Sequence, residues 1–171
     1  MRETELIIEG VRPFHEEKLA LAQARDRGFK LVHSAPHESI ASLIHIMKAY
    51  LWGKAINLPK MVRNLPISLN LTEIFPTQFA QDVITCVRDL KYGEIVSYSE
   101  IGRRIDTRAF RAIGSVLKKN PFPLLIPCHR VIRKNGSVGG FMGTQGGEAW
   151  QVSLKQGLIA MERKNSSCEG E

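Results

Sequence analysis

The sequence predicts an α+β protein: a small mixed N-terminal domain with a short antiparallel sheet, followed by a mainly helical C-terminal domain. Three observations favour this division. Residues 1–75 contain short apolar segments and one amphipathic stretch, residues 76–171 contain a series of helical patterns, and Pro76 marks the junction. A chain of 171 residues that is 43% hydrophobic and 24% charged can bury one good core or two small ones.

The N-terminal domain is predicted from two strand candidates and one helix. Leu6–Ile8 and Phe29–Val32 are short strand candidates for the sheet, and the sequence does not fix how they pair. Apolar residues recur at helical spacing within His37–Trp52, and Gly53 follows as a stop signal. The apolar positions of this helix are Ile40, Leu43, Ile44, Met47 and Leu51. The prolines and asparagines of Gly53–Phe75 predict an extended connection.

The C-terminal domain is predicted to begin with three helices. The first combines a Thr77 cap with apolar residues at Phe79, Val83, Ile84, Val87 and Leu90. The second begins with Ser97 and Glu100, which match a capping box. The third covers about Arg108–Lys119, with Phe110, Ile113, Val116 and Leu117 on one face. Two short helices joined by a tight turn have the outline of a helix-turn-helix, in a winged-helix-like domain.

The segment after these helices holds the most reactive pattern in the chain. Leu124–Ile126 and Val131-Ile132 are predicted as short buried strands, and Pro127-Cys128-His129-Arg130 lies between them. An Asn135-Gly136 turn and a glycine-rich loop follow, and the last predicted helix covers roughly Ala149–Glu162.

Cys128 and His129 together suggest an activated nucleophile, because a thiol attacks only as the thiolate and a nearby base favours that form. Neighbouring residues on a strand point to opposite faces. The two groups can therefore cooperate only if the backbone turns at Cys128 or a water links them, and Pro127 makes a turn more plausible. The alternative interpretation is a buried structural cysteine beside a satisfied histidine.

Charge around the cysteine is strongly positive. Residues 107–147 contain no Asp or Glu but seven basic residues, Arg108, Arg111, Lys118, Lys119, Arg130, Arg133 and Lys134. Such a stretch favours a phosphate backbone through counterion release. The alternative is a surface that is merely basic, with no polyanionic partner.

Composition limits the setting of the protein. Three cysteines, Cys86, Cys128 and Cys168, are too few and odd in number for a disulfide framework. Residues 1–10 contain four charges and only a short apolar run, so we expect no signal peptide, and no segment reaches the ~20 apolar residues of a membrane span. We expect a cytoplasmic monomer, associated with the nucleoid in a prokaryote or nuclear in a eukaryote. The spacing of the histidines does not indicate a metal site.

The run Ile-Pro-Cys-His-Arg-Val-Ile at residues 126–132 is accompanied by further short motifs across residues 77–162. These are Thr77 with Phe79, Tyr92-Gly93-Glu94, Ser97-Tyr98, Arg111-Ala112-Ile113-Gly114, Asn120-Pro121, Gly136 and Gly140-Phe141. In order and approximate spacing they resemble the O6-alkylguanine-DNA alkyltransferases. The resemblance implies a repair protein that acts on alkylated double-stranded DNA, flips out O6-alkylguanine and also accepts O4-alkylthymine. It would transfer the alkyl group irreversibly to its own cysteine, once per molecule and without a metal or cofactor.

The resemblance also assigns roles to individual residues. Cys128 would be the acceptor, and His129 would deprotonate it through a bridging water. Glu162 would orient the histidine, Tyr98 would donate a hydrogen bond to the flipped guanine, and Asn120 would tie the recognition helix to the active-site segment. Arg111 would be the finger that fills the space of the extruded nucleotide. Further DNA contacts are expected from Arg108, Ala112, Ser115, Lys118 and Arg130. The substrate pocket is expected to involve Tyr98, Leu117, Val131, Phe141 and Met142.

Three departures from the family pattern are visible. The residues before Arg111 lack a Ser-Pro-Arg sequence, Met142 replaces a small residue, and Thr144–Ser153 resembles an insertion of about ten residues. Without that insertion, Lys155 rather than Glu162 would fall near the glutamate position.

Other functions are compatible with parts of the pattern. A non-catalytic binder of alkylated DNA would lack the acceptor cysteine, which this chain has. A helix-turn-helix regulator would use Cys128 only as a structural or sensory thiol. A cysteine hydrolase would turn over repeatedly.

Overall fold

The computed structural model describes residues 6–8, 38–69, 71–144 and 150–166. Its strands are β1 (Leu6–Ile8), β2 (Ile67–Leu69), β3 (Val96–Ser97) and β4 (Val131–Ile132). Its α-helices are α1 (Glu38–Leu51), α2 (Leu58–Val62), α3 (Leu71–Ile74), α4 (Gln78–Arg88), α5 (Tyr98–Arg104), α6 (Phe110–Lys118) and α7 (Trp150–Ser166). A 3₁₀ helix covers Cys128–Arg130. The chain is therefore mixed and rich in helix, as predicted.

The predicted antiparallel sheet is wrong. β1 and β2 pair in parallel, with Leu6 opposite Ile67 and Ile8 opposite Leu69. Parallel neighbours need a long crossover connection, and the chain between these strands includes α1 and α2. The other predicted strand, Phe29–Val32, lies outside the described residues.

The predicted extended connection at Gly53–Phe75 is also wrong in part, because it contains α2, β2 and α3. Asn57 caps α2 by accepting a hydrogen bond from the Lys60 amide at 3.2 Å. Pro59 lies in the first turn of α2, where a missing N–H costs no helical hydrogen bond. The proline therefore starts this helix and does not exclude one.

The helical predictions for the second half are largely confirmed. Thr77 caps α4, and the Ser97 hydroxyl accepts from the Glu100 amide at 3.1 Å. The Glu100 carboxylate instead pairs with Arg103 and Arg104, so the described contacts contain only one half of the predicted capping box. α5 packs against α6 across Gly102. A β-carbon at that position would lie 2.6 Å from the Phe110 ring, so the close approach of the two helices requires glycine.

The apolar run Leu124–Ile126 is buried but is not the predicted strand. It forms a turn in which the Ile126 amide donates to the Phe122 carbonyl at 2.8 Å and Leu124 takes a φ of 73°. A short apolar run indicates burial and cannot distinguish a strand from a buried turn. The run joins a core that also includes Tyr50 and Leu58. None of the described helices is long and apolar enough to cross a membrane.

Candidate active site

Cys128 begins the 3₁₀ helix, so the backbone turns at this residue, which is one of the two arrangements that would let it cooperate with His129. The thiol is buried, and its sulfur accepts a hydrogen bond from Asn120 Nδ2 at 3.2 Å. The same nitrogen donates to the Ile126 carbonyl at 3.1 Å, while Asn120 Oδ1 accepts from the Phe122 amide at 2.9 Å. Asn120 is therefore fixed by the backbone of the turn and presents an N–H to the sulfur.

His129 is completely buried behind the cysteine. Its Nε2 lies 3.1 Å from Glu162 Oε1, on helix α7, and 3.2 Å from the Tyr50 hydroxyl, on helix α1. Its Nδ1 has no hydrogen-bond partner among the protein atoms described. Because Nε2 is the ring nitrogen that contacts Glu162, Nδ1 remains available to receive a proton.

Arg130 corrects the sequence prediction, which assigned it to DNA. Its side chain is 0% exposed and makes a two-pronged contact with Glu162, with Nη2 to Oε1 at 2.8 Å and Nε to Oε2 at 2.9 Å. Nη1 donates to the Leu90 carbonyl at 2.9 Å, and the guanidinium lies 5.9 Å from the centre of the Tyr92 ring. A charge enclosed in this way cannot reach a phosphate. Arg130 instead neutralises the buried Glu162.

The electrostatics of this cluster follow from burial and pairing. Burial alone would raise the pKa of Glu162, but hydrogen bonds from His129 and Arg130 outweigh it and hold the pKa at about 2. Burial lowers the pKa of His129 despite the nearby carboxylate, so the imidazole is neutral near pH 7. Burial raises the pKa of the Cys128 thiol, and the Asn120 hydrogen bond opposes this only in part. At rest, Cys128 is therefore a protonated thiol and His129 a neutral imidazole.

An open cavity of about 720 Å³ lies in front of the cysteine. Of the residues predicted for the site, Tyr98, Arg111, Ser115, Leu117, Lys118, Cys128, Phe141 and Met142 line it. Burial, and then the proximity of Cys128, raises the pKa of the Tyr98 phenol, which keeps its proton and can donate it in a hydrogen bond. The lining of the cavity thus includes both a hydroxyl donor and a thiol.

Several predicted residues lie outside this wall. Val131 is buried, and its carbonyl accepts from Lys155 Nζ at 2.7 Å. Arg108 lines a smaller neighbouring cavity of about 430 Å³, and Ala112 is half-buried on α6 without lining either cavity. His129 and Glu162 stand behind the cysteine.

Met142 lies in a tight turn in which Phe141 and Thr144 form an antiparallel bridge. Its φ is 50°, in the left-handed region that favours glycine, and its side chain is half-buried against the core. The predicted insertion Thr144–Ser153 divides accordingly. Thr144 closes this turn, residues 145–149 lie outside the described residues, and residues 150–153 form the first turn of α7.

The fold brings Glu162, rather than Lys155, to His129. Lys155 is buried elsewhere on α7, and its Nζ donates to the Val131 and Gly140 carbonyls at 2.7 and 3.3 Å. Burial lowers its pKa to about 8. It therefore ties the strand after the cysteine to the loop that carries Phe141.

Sequence reasoning missed several residues of the site, four of which make contacts or carry charge that matters for its chemistry. Tyr50 reaches the Glu162 and His129 contact from the first half of the chain. Lys155 was considered only as the residue that would replace Glu162 if there were no insertion, and not as a partner of the Val131 carbonyl. Arg133 and Lys134 line the cavity on its exposed side. The acid-free stretch signalled the last two, whereas no local pattern signalled Tyr50. Within the described ranges, no group of three His, Cys, Asp or Glu side chains is placed to hold a metal ion.

Comparison with known proteins finds one family model and several related proteins. Residues 78–164 match the family model of the 6-O-methylguanine DNA methyltransferase DNA-binding domain. A methylated-DNA–protein-cysteine methyltransferase of Saccharolobus islandicus is 33% identical over 145 residues, which cover 80% of this chain and 83% of the relative. A protein of the same name from Methanocaldococcus vulcanius is 38% identical over 91 residues, 53% of this chain. That match spans only 51% of the relative's length.

The fold has a solved counterpart. The crystal structure of Mycobacterium tuberculosis OGT in complex with DNA superposes with a TM-score of 0.64 at 22% identity, covering 94% of this chain and 83% of that one. At this identity the likeness shows the fold alone. The family model and the Saccharolobus relative carry the assignment further. The chain therefore belongs to the family of the DNA-binding domain of 6-O-methylguanine DNA methyltransferase.

Proposed function

We propose that this chain repairs DNA by moving an alkyl group from O6 of guanine to Cys128, once per molecule. The observation that carries the proposal is the position of the thiol. It lies in the wall of an open cavity, accepts an N–H from Asn120, and stands beside a neutral histidine whose far nitrogen is engaged by Glu162. The names of the relatives point to the same chemistry.

The proposed reaction is a displacement at the alkyl carbon. His129 takes the thiol proton through a bridging water, and the imidazolium is stabilised by Glu162. The sulfur then forms a bond to the alkyl carbon while the carbon–O6 bond breaks, and its electron pair returns to the guanine ring. Tyr98 donates a hydrogen bond to the guanine as this charge develops. The thioether has no leaving group that would regenerate the thiol, so the protein is consumed.

The substrate must leave the duplex, because a stacked base cannot reach a sulfur at the back of a cavity. We propose that Arg111, at the rim on α6, occupies the vacated space. Ser115, Lys118, Arg133 and Lys134 share this rim, and the exposed cations among them supply the charge for phosphate contacts. The proposed partner is alkylated double-stranded DNA. O4-alkylthymine is a second proposed substrate, because its alkyl oxygen occupies a comparable position on a flipped base.

The test counts the lesions that are removed. A duplex carrying one O6-methylguanine is supplied in fivefold excess, and the remaining lesion is measured over time. We expect removal to stop at one lesion per protein molecule, Cys128→Ala to remove none while still binding the duplex, and Cys86→Ala to match the unaltered protein. Repeated turnover, or full activity without Cys128, would contradict the proposal. Tight binding to the damaged duplex without removal would indicate a non-catalytic damage binder.

A further inference from the structure

Tyr50, in the first half of the chain, has a buried hydroxyl that contacts His129 and Glu162 in the second half. It lies on α1, is 1% exposed, and has its ring edge against Tyr92 at a centroid distance of 6.0 Å. Its hydroxyl donates to Glu162 Oε1 and lies 3.2 Å from His129 Nε2. The reaction proposed above does not require a group at this position, so the contact calls for a separate explanation.

The direction of these hydrogen bonds follows from the number of protons. A phenol has one proton, and the ionised Glu162 carboxylate can only accept, so the Tyr50 proton is directed to Glu162. The Tyr50 oxygen can then only accept from His129. Both neighbours of His129 Nε2 are therefore acceptors, and Nε2 must carry the proton. In a neutral ring this leaves the lone pair on Nδ1, the nitrogen without a protein partner.

The contacts of His129 Nε2 with Tyr50 and Glu162 also matter when Cys128 loses its proton. His129 then becomes an imidazolium in a completely buried site, and its Nε2–H faces two oxygens rather than one. A hydrogen bond to a charged group is stronger than one between neutral groups. The second acceptor therefore favours the thiolate and imidazolium pair over the neutral pair.

We infer that Tyr50 is a positioning residue for thiol activation: it fixes the proton of His129 on Nε2 and shares the charge of the imidazolium with Glu162. This inference rests on the proposed function for its biological purpose. It assigns a task to the N-terminal half of the chain. This half would supply one hydroxyl to the proton relay, by which we mean His129, which takes the thiol proton, and Glu162, which stabilises the imidazolium.

The test uses the full chain with a small alkylating agent, so it needs no DNA. Tyr50→Phe removes the hydroxyl and keeps the ring. The rate of iodoacetamide alkylation is measured on the Cys128 peptide by mass spectrometry, and ¹⁵N-histidine NMR reports which ring nitrogen carries the proton. We expect Tyr50→Phe to alkylate Cys128 about tenfold more slowly, the effect of one lost hydrogen bond to a charged group. We also expect the His129 Nε2–H resonance to move upfield as its hydrogen bonding weakens.

The matched control is Tyr92→Phe. The Tyr92 hydroxyl accepts from Asn165 at 3.3 Å, so this variant removes a phenol oxygen from the same aromatic pair. We expect the alkylation rate and the His129 resonances to remain those of the unaltered protein. A loss of stability alone would not move the His129 ring resonances, so this measurement distinguishes a positioning role of Tyr50 from a packing role.

Two results would overturn the inference. One is a Tyr50→Phe variant with an unchanged rate and unchanged His129 resonances. The other needs no variant and is decisive even if Tyr50→Phe fails to fold: a proton on Nδ1 in the unaltered protein. Failure of the proposed function looks different, because the relay would still respond to Tyr50→Phe while no methyl group left O6-methylguanine DNA.

Discussion

The two sides of Cys128 differ in how they treat charge. Behind the cysteine, Arg130 and Glu162 are completely buried and joined by a two-pronged contact. In front of it, Arg111 and Lys118 are exposed around the cavity. Arg111 and Arg130 are the same residue type in the same basic stretch, yet one is enclosed and the other faces solvent. The position of a single carboxylate, Glu162, decides which arginine becomes structural.

The difference has an energetic consequence. Removing one partner of a buried ion pair leaves an uncompensated charge in the protein, whereas an exposed charge loses little when its neighbours change. We call the buried pair Arg130 and Glu162 the rear cluster, and the exposed residues Arg111 and Lys118 the front rim. The rear cluster should therefore control the stability of the site, and the front rim should control the binding of DNA. Variants of the two arginines test that separation.

Arg130→Met should give the largest effect. It leaves Glu162 buried without its main partner, and we expect the free energy of unfolding to fall by about 3–5 kcal/mol. Urea denaturation measures this. Arg63→Met is the control, since the Arg63 contact with Asp89 at 2.5 Å is exposed and should contribute at most about 1 kcal/mol. Equal losses in the two variants would remove the distinction between buried and exposed pairs.

Acid should weaken the rear cluster in a defined range. The pKa of Glu162 is about 2 in the folded protein against an ordinary value of 4.5, so its stabilising contribution is complete above pH 4.5 and disappears as the pH falls towards 2. The full contribution is about 3 kcal/mol. Urea denaturation at a series of pH values should show this slope, and Glu162→Gln should reduce it. A slope that Glu162→Gln leaves unchanged would assign the acid sensitivity to other carboxylates.

Arg111→Ala should give the smallest effect on stability and a clear effect on DNA. The side chain is exposed at the rim, so unfolding should change by no more than about 0.5 kcal/mol. Removal of O6-methylguanine from a duplex should become slower, because the proposed finger is missing. Lys119→Ala is the control: it removes an exposed charge next to α6 that does not line the cavity. Equal repair rates for the two variants would refute the role assigned to Arg111.

Local sequence patterns predicted α1, α4, α5 and α6, because each of them shows an apolar face or a cap, but they missed the short helices α2 and α3. α1, α4 and α6 lie close to their predicted ranges, and the backbone turns at Cys128, one of the two arrangements considered for cooperation with His129. Patterns failed where the determining partner is distant. The parallel pairing of β1 with β2 depends on a crossover connection, which no residue of either strand encodes.

The site shows the same limit. Arg130 lies in a stretch, residues 107–147, that has no acidic residue and was expected to contact DNA, yet α7 brings Glu162 to it from 32 positions further on. Tyr50 reaches the cluster from 79 positions before His129. Neither contact has a local signature, because both depend on how α1 and α7 pack around the 3₁₀ helix.

The most direct test of the proposed alkyl transfer asks which sulfur receives the alkyl group. The protein is incubated with a duplex that carries one O6-methylguanine, digested, and analysed by peptide mass spectrometry. We expect one methyl group per molecule on the peptide that contains Cys128, and none on the peptide that contains Cys86. A methyl group on Cys86, or no adduct on Cys128 after complete binding of the duplex, would contradict it.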